Sequence, residues 1–206
     1  MDTQRNSSRP VLVLASASPR RSVLLGRLGI RFEIVPSTVE EIGLNGEAPE
    51  AQVQRLALSR AHQVSQWYPD MWVLGADTIV VIDGMILGKP SDEENAKAML
   101  ATIAGRTHDV YTGYALINAT LPEAQRVRYL KSGVKIRELS PEQIEGYVRT
   151  GEPMDKAGAY AVQGIGSGIV ESISGSYTNV VGLPLCEVAR DLKDLGIFDF
   201  LKPDCE

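Results

Sequence analysis

A short segment near the amino terminus has the residue types of an anion-binding site. Residues Ser16–Arg21 (SASPRR) follow an apolar run and precede a helical pattern. The free N–H groups and the positive dipole end of a helix start attract anions, and guanidinium groups bind phosphate oxygens well. Two arginines in a first helical turn oppose the dipole unless an anion lies there. The segment therefore predicts a phosphate site, and the alternative is a capped surface helix with solvated arginines.

Carboxylates and lysines elsewhere add to this pattern. Asp77 follows a strand-like run and is expected at a strand end, where it could hold a divalent cation or activate water, and Glu40 and Glu41 follow the second strand. Lys89 and Lys156 each lie close to a glycine, as a phosphate-binding lysine could. Taken singly, each acid is more typical of a turn or an acidic loop, and each lysine is more typical of a solvated surface group.

Together these residues combine hard oxygen ligands with several cations, without soft metal ligands. That combination suits a polyphosphate bound to magnesium or manganese better than it suits zinc. We therefore expect an enzyme of phosphate esters or nucleotides, with the base and the cleaved bond left open by these residues alone.

Two motifs that resemble nucleotide-binding loops do not qualify. Gly84–Pro90 (GMILGKP) is one residue short of a P-loop and has proline where a hydroxyl should bind magnesium. Gly164–Ile169 (GIGSGI) has its third glycine one place early for a dinucleotide fingerprint, so we expect an internal loop there. Kinase-like and dehydrogenase chemistry are thus not supported.

The composition narrows the class of protein further. The chain has 206 residues, 44% hydrophobic and 23% charged, with a formal net charge of −5, which predicts one soluble globular unit. An acidic chain with 6% aromatic residues is a poor candidate for a nucleic-acid binder. Two cysteines, Cys186 and Cys205, cannot build a disulfide framework or a structural zinc site. No stretch approaches the roughly 20 apolar residues of a membrane span, so we expect a cytoplasmic protein without membrane partners.

Strand and helix signals alternate along the chain. We predict an α/β fold with a mixed, bent central sheet, flanking helices and two lobes around a cleft. Residues 1–206 are expected to form a single domain, with residues 1–10 as a flexible polar tail. The predicted helices begin at Ser18-Pro19, Pro49, Ser91 (a capping box with Glu94), Ser140-Pro141 and Pro184. The predicted strands are Val11–Ala15, Phe32–Pro36, Val73–Ala76, Ile79–Ile82, Met85–Leu87, Val110–Ile117 and Val127–Ile136.

Six ordered blocks of the chain resemble the Maf family. They run from about Val11 to Leu195, and their order makes the resemblance far more specific than any single block. The blocks are LASASPRR with Leu24-Leu25, then GADT from Gly75, LGKP from Leu87, YTG from Tyr111, KAGAYAVQG from Lys156 and NVVGLP from Asn179.

The resemblance implies a nucleoside triphosphate pyrophosphatase with the α/β fold of inosine triphosphate pyrophosphatases. Such an enzyme cleaves between the α- and β-phosphates with a divalent cation, Mg or Mn, and is commonly a homodimer. The older association of the family with septum formation keeps a second hypothesis open, a regulator that binds nucleotide without turnover.

The resemblance also implies roles for individual residues. Asp77 would accept the proton of the attacking water, and Asp77 and Glu41 would bind the metal, with Glu41 preferred over Glu40 by its spacing. Lys89 would complete the catalytic set. The phosphates would be lined by Ser16, Arg20, Lys89 and Lys156.

Three further positions, Arg21, Thr78 and Gln163, would select the base. Thr78 and Gln163 resemble the branch that acts on dTTP and UTP, with modified pyrimidine triphosphates as further candidates, and differ from the branch that prefers 7-methyl-GTP. One expected substrate-binding position departs from the family, because Arg60 stands where lysine is usual. Guanidinium and ammonium groups are not interchangeable at a phosphate, so the role of Arg60 is left open.

Overall fold

One mixed sheet forms the centre of the molecule in the computed structural model, which describes residues 11–199 and 201. The predicted tail of residues 1–10 and Cys205 lie outside the described residues. Within that part of the chain the sheet has the strand order β2-β1-β3-β5-β6-β7, with β4 paired to β3. The strands are β1 (Leu12–Leu14), β2 (Phe32–Ile34), β3 (Trp72–Ile82), β4 (Met85–Leu87), β5 (Thr107–Ile117), β6 (Arg126–Ile136) and β7 (Val170–Ser174).

Parallel and antiparallel pairing are both present, which confirms the predicted mixed sheet. β1 runs parallel to β2 and to β3, whereas β3, β5, β6 and β7 pair in antiparallel fashion. β3 returns into β4 through Asp83 and Gly84, with φ of 50° and 77°. Two successive positive φ values give the turn whose twist matches a hairpin, and an Asp-Gly pair favours that turn.

Six α-helices flank the sheet within the described residues, and most begin at the predicted caps. Ser140 forms a complete capping box with Gln143. At the third helix the prediction was one residue early, because the side chain of Asp92 rather than Ser91 accepts the N–H of Asn95. The helices are α1 (Pro19–Gly26), α2 (Pro49–Ser65), α3 (Glu93–Ile103), α4 (Pro141–Val148), α5 (Tyr177–Val181) and α6 (Leu185–Asp194).

The long strand β3 corrects one expectation about the site. The two strand-like runs on either side of Asp77 form one continuous strand, so Asp77 lies within β3, opposite Gly113 of β5, and not at a strand end. Gly75 lies close to α2 in the same strand, because a Cβ there would overlap with the backbone of α2 at Ala57. The same holds for Gly113 and Val53. The two glycines therefore let α2 pack directly on the sheet beside Asp77.

Separate hydrophobic clusters fill the two ends of the long strands. One cluster joins β1, α1 and α6 around residues such as Leu14, Leu74 and Leu192. Another joins α3 and α4 to the far end of β3 around residues such as Ile82, Leu100 and Val148. These clusters correspond to the two predicted lobes. Among the described residues, no helix is long and apolar enough to cross a membrane.

Candidate active site

A cavity of about 400 Å³ brings together all ten residues that the sequence proposed as a site. A volume in this range is typical of pockets for ligands of nucleotide size. Glu41 contributes to its wall, whereas Glu40 does not. The ten residues are Ser16, Arg20, Arg21, Glu41, Arg60, Asp77, Thr78, Lys89, Lys156 and Gln163.

Arg21 is held by three neutral groups in the wall of this cavity. Its Nε donates to the carbonyl oxygen of Gly182 (2.9 Å), Nη1 to the hydroxyl of Ser16 (3.2 Å) and Nη2 to that of Thr78 (3.1 Å). Burial lowers the pKa of Arg21 to about 10, and the charges of Arg20 and Arg60 act in the same direction. The guanidinium is therefore still protonated at neutral pH. Its three hydrogen bonds point in different directions and together fix its position.

A chain of hydroxyl groups continues from Arg21 into the core. Thr78 Oγ1 lies 2.9 Å from Thr112 Oγ1, and Thr112 donates to the carbonyl oxygen of Asn179 (2.9 Å). Because the single proton of Thr112 goes to Asn179, Thr78 must donate to Thr112 and can accept from Arg21. Thr112 and Asn179 are both fully buried. Neither had been proposed as part of the site, since Thr112 faces Thr78 only once β3 and β5 pair.

Arg60 is placed differently, between two carboxylates. Its Nη2 lies 3.1 Å from Glu41 Oε1 and 3.1 Å from Asp77 Oδ1. Its Nε is buried without a hydrogen-bond partner among the described residues. Lys89 approaches from the open side, with Nζ 3.1 Å from Glu41 Oε1. One nitrogen of Arg60 thus serves as the counter-ion of both acids.

The two carboxylates have opposite pKa shifts. Burial raises the pKa of Asp77 above its ordinary value, although the charges of Arg21 and Arg60 act against it. Burial acts in the same direction on Glu41, but the hydrogen bonds and charges of Lys89 and Arg60 outweigh it and hold the pKa of Glu41 below its ordinary value. Separation of two such pKa values is typical of carboxylates with different roles.

Asp155 joins the two cations at the mouth of the cavity. Arg20 Nη1 lies 3.1 Å from Asp155 Oδ2, and Lys156 Nζ lies 2.5 Å from Asp155 Oδ1. Burial would raise the pKa of Asp155, but its hydrogen bonds to Lys156 and Arg20 hold it below the ordinary value. The sequence analysis did not assign Asp155 to the site, although it directly precedes Lys156 in the chain.

The acids of the site suit one class of metal. Two carboxylate oxygens within 3.1 Å of one nitrogen converge on a single point. Magnesium and manganese are commonly bound by one or two carboxylates together with substrate phosphates. No group of three or more His, Cys, Asp or Glu residues that could hold a metal occurs in the described part of the chain. The residues therefore fit a divalent cation that arrives with a phosphate ligand.

Comparison with known proteins identifies the family. The family model of the Maf-like proteins matches residues 11–195. The chain belongs to the Maf family. Among its Maf relatives, a dTTP/UTP pyrophosphatase from Syntrophus aciditrophicus is 48% identical over 92% of each chain. Another dTTP/UTP pyrophosphatase, from Moorella thermoacetica, is 51% identical over 90% of this chain and 95% of the relative.

One solved structure is also similar to this chain. It is the crystal structure of a nucleoside-triphosphatase / dITP/XTP pyrophosphatase from Mycobacterium abscessus, with a TM-score of 0.39 and 19% sequence identity. The match covers 68% of this chain and 94% of that chain.

Proposed function

We propose that this chain hydrolyses dTTP and UTP, and modified pyrimidine triphosphates of the same shape, to the monophosphate and pyrophosphate. The observation that carries the proposal is the convergence of three acids and five cationic side chains in one cavity of nucleotide size. The names of Maf relatives at about half identity supply the substrate class.

The cations provide the electrostatic part of the reaction. A triphosphate brings a charge of about −4, and charges inside a cleft that excludes water interact far more strongly than in bulk water. Arg20, Lys89 and Lys156 would bind the phosphates together with Ser16. Each of the three cations is paired with an exposed or half-exposed carboxylate, Asp155 or Glu41, that can turn away when phosphate replaces it.

Glu41 and Asp77 would hold the divalent cation that enters with the nucleotide. That ion polarises phosphoryl oxygens and neutralises charge that develops on them. Arg60 lies between the same two acids, so we propose that its guanidinium compensates their charge.

Asp77 is the proposed proton acceptor for the attacking water. Its buried position within β3 raises its pKa, and a general base with a raised pKa is better matched to neutral pH. Lys89 and Arg60 keep Glu41 ionised, so this second acid is suited to metal binding and not to proton transfer.

The base would be read by Gln163, Thr78 and Arg21. The amide of Gln163 offers one acceptor and two donors, which suits the N3–H and O4 edge of uracil or thymine. A cytosine ring presents the opposite arrangement at these two positions, so a fixed amide could discriminate between dTTP and dCTP.

The decisive experiment identifies products from a panel of triphosphates with magnesium or manganese. We expect pyrophosphate and monophosphate from dTTP and UTP, with much slower turnover of dCTP and 7-methyl-GTP. Free phosphate as the only inorganic product, or no turnover of any triphosphate, would overturn the proposal. Fastest turnover of 7-methyl-GTP would instead assign the chain to the other branch.

Metal dependence, assembly and location have their own tests. We propose that chelation with EDTA abolishes turnover and that Mg or Mn restores it. We propose a homodimer, from the resemblance to the family, and light scattering of the purified protein measures its mass. We also propose a cytoplasmic location, which cell fractionation would establish.

A further inference from the structure

The glycine-rich segment that resembled a nucleotide-binding loop binds a carboxylate of the protein itself, that of Glu152. Gly164–Gly168 forms a 3₁₀ helix directly after Gln163. The N–H of Ile165 donates to Glu152 Oε1 (3.0 Å) and the N–H of Gly166 donates to Glu152 Oε2 (2.7 Å). A carboxylate thus takes the two amides that a phosphate would otherwise accept.

Tyr147 completes this arrangement from α4. Its hydroxyl donates to Glu152 Oε2 (2.7 Å) and accepts the N–H of Ala161 (3.1 Å). Tyr147 is 5% exposed, and burial and the bond to Glu152 raise the pKa of its hydroxyl. Two side chains, Tyr147 and Glu152, therefore hold backbone on both sides of Gln163, at Ala161 and at Gly166.

Two glycines make this close approach feasible. A Cβ at Gly166 would overlap with the Ala161 carbonyl oxygen and the Tyr147 hydroxyl, and a Cβ at Gly164 would overlap with the Glu152 carboxylate. Gly164 also has a φ of 63°, a conformation that favours glycine. The glycines that a sequence motif would assign to a ligand are needed to admit Glu152.

The backbone of Glu152 reaches a second wall of the cavity. Lys156 Nζ donates to the carbonyl oxygen of Glu152 (2.7 Å). The side chain of Glu152 itself does not line the cavity, whereas Gln163, Lys156 and Ala161 do. One residue behind the cavity is thus bonded to the segment proposed to read the base and to the lysine proposed to bind phosphate.

We propose that Glu152, together with Tyr147, is a positioning residue that sets the base selectivity of the enzyme by fixing the backbone around Gln163. The inference rests on the proposed function, because it requires Gln163 to read the pyrimidine edge. Backbone that is held at Ala161 and at Gly166 fixes the point from which the Gln163 side chain extends, and so limits the directions from which its amide can approach the base. Selectivity therefore depends on the carboxylate that immobilises the loop.

The test compares dTTP with dCTP in purified full-length variants. Glu152→Gln places an amide NH₂ where one of the donors now finds a carboxylate oxygen, so at least one hydrogen bond is lost. We expect the ratio of kcat/KM for dTTP over dCTP to fall about 10-fold, mainly through KM, while kcat for dTTP changes less. Tyr147→Phe removes the hydroxyl alone and should lower the same ratio, which keeps the test intact if Glu152→Gln fails to fold.

A matched control lies on the same helix as Tyr147. Glu145→Gln removes a half-exposed carboxylate that pairs with Arg149, and it should leave the selectivity ratio unchanged. A loss of stability alone would lower the active fraction equally for both substrates, so the ratio separates positioning from a merely structural role.

A double-mutant cycle with Gln163→Ala decides the route of the effect. If Glu152 acts through Gln163, the double variant has the selectivity of Gln163→Ala alone. Full additivity, or normal selectivity in Glu152→Gln while Gln163→Ala loses it, overturns the positioning role and leaves the proposed function intact. If the unmodified enzyme itself does not distinguish dTTP from dCTP, both the proposed base specificity and this inference are wrong.

Discussion

Two arginines of the cavity are held in opposite ways. Arg21 uses three nitrogens on three neutral partners, two hydroxyls and a carbonyl. Arg60 uses a single nitrogen for two carboxylates, and its buried Nε has no partner among the described residues. The first therefore depends on the planar fork of a guanidinium, whereas the second depends only on one positive charge at one point.

This difference gives a physical reason why position 60, where the resemblance to the family implies lysine, can hold arginine. A lysine ammonium can replace one nitrogen between two carboxylates, but it cannot replace a fork that points in three directions. Arginine and lysine at this position would thus meet the same electrostatic need. The two arginines also differ in the charge of their partners, because the groups that bind Arg21 are neutral whereas Arg60 is paired with the carboxylates of Asp77 and Glu41.

The largest expected effect comes from removing one acid beside Arg60. Asp77→Asn keeps the shape but removes the proposed base, so pyrophosphate release from saturating dTTP should fall by about 10²-fold or more. The exposed Asp70 supplies the control, because Asp70→Asn should keep normal turnover. Near-normal turnover in Asp77→Asn would remove Asp77 from the catalytic role.

The next effect tests the two arginines against each other. Arg21→Lys replaces the charged guanidinium by an ammonium group and loses two of the three hydrogen bonds that the guanidinium donates. We therefore expect kcat/KM for dTTP to fall about 10- to 100-fold. Arg60→Lys keeps a cation between the two acids and should cost less than about 5-fold. Equal losses in the two variants would contradict the comparison.

A smaller effect is expected one step behind Arg21. Thr78→Val cannot accept from Arg21 or donate to Thr112, and an unpaired buried polar group costs about 1–3 kcal/mol, so kcat/KM for dTTP should fall about 10-fold. Thr78→Ser keeps the hydroxyl and should stay close to the unmodified enzyme. If both variants lose activity equally, packing of the methyl group and not the hydroxyl chain supports Arg21.

The last prediction concerns stability and not turnover. His108 is buried, and its Nε2 lies 2.7 Å from the hydroxyl of Tyr160. Burial lowers its pKa from 6.5 to about 4, so His108 is neutral at pH 7, where Arg21 is still charged. The unfolded chain then binds the extra proton between these two pH values, and the stability contribution is lost as the pH falls from 6.5 towards 4. We expect His108 to account for a loss of about 2 kcal/mol in the free energy of unfolding between pH 7 and pH 5.

Urea unfolding at the two pH values measures this loss. His108→Gln should remove that part of the pH dependence, whereas His62→Gln, at an exposed position, should keep it. An unchanged pH dependence in His108→Gln would show that burial does not lower the pKa of His108 in the way argued for Arg21.

Local features of the fold could be predicted from the sequence because they depend on neighbours in the chain. The Ser140 capping box, the Asp83-Gly84 hairpin and the start of α2 at Pro49 each rest on residues within a few positions of one another. The residue types of the site were recognised in the same way, from ordered short blocks. The strand end expected at Asp77 was wrong because β3 continues to Ile82 and pairs along this length with β5, which is distant in sequence.

Contacts between distant segments were decided by the tertiary structure alone. Asp155 meets Arg20 across 135 positions of the chain, and Thr112 reaches Thr78 only through the register of β5 on β3. The sequence specifies which polar groups are present and how far apart they lie along the chain. Because hydrogen bonds act over about 3 Å, the fold alone determines which of these groups bind each other. For the same reason the glycine-rich sequence Gly164–Gly168 could not show that its N–H groups donate to the carboxylate of Glu152.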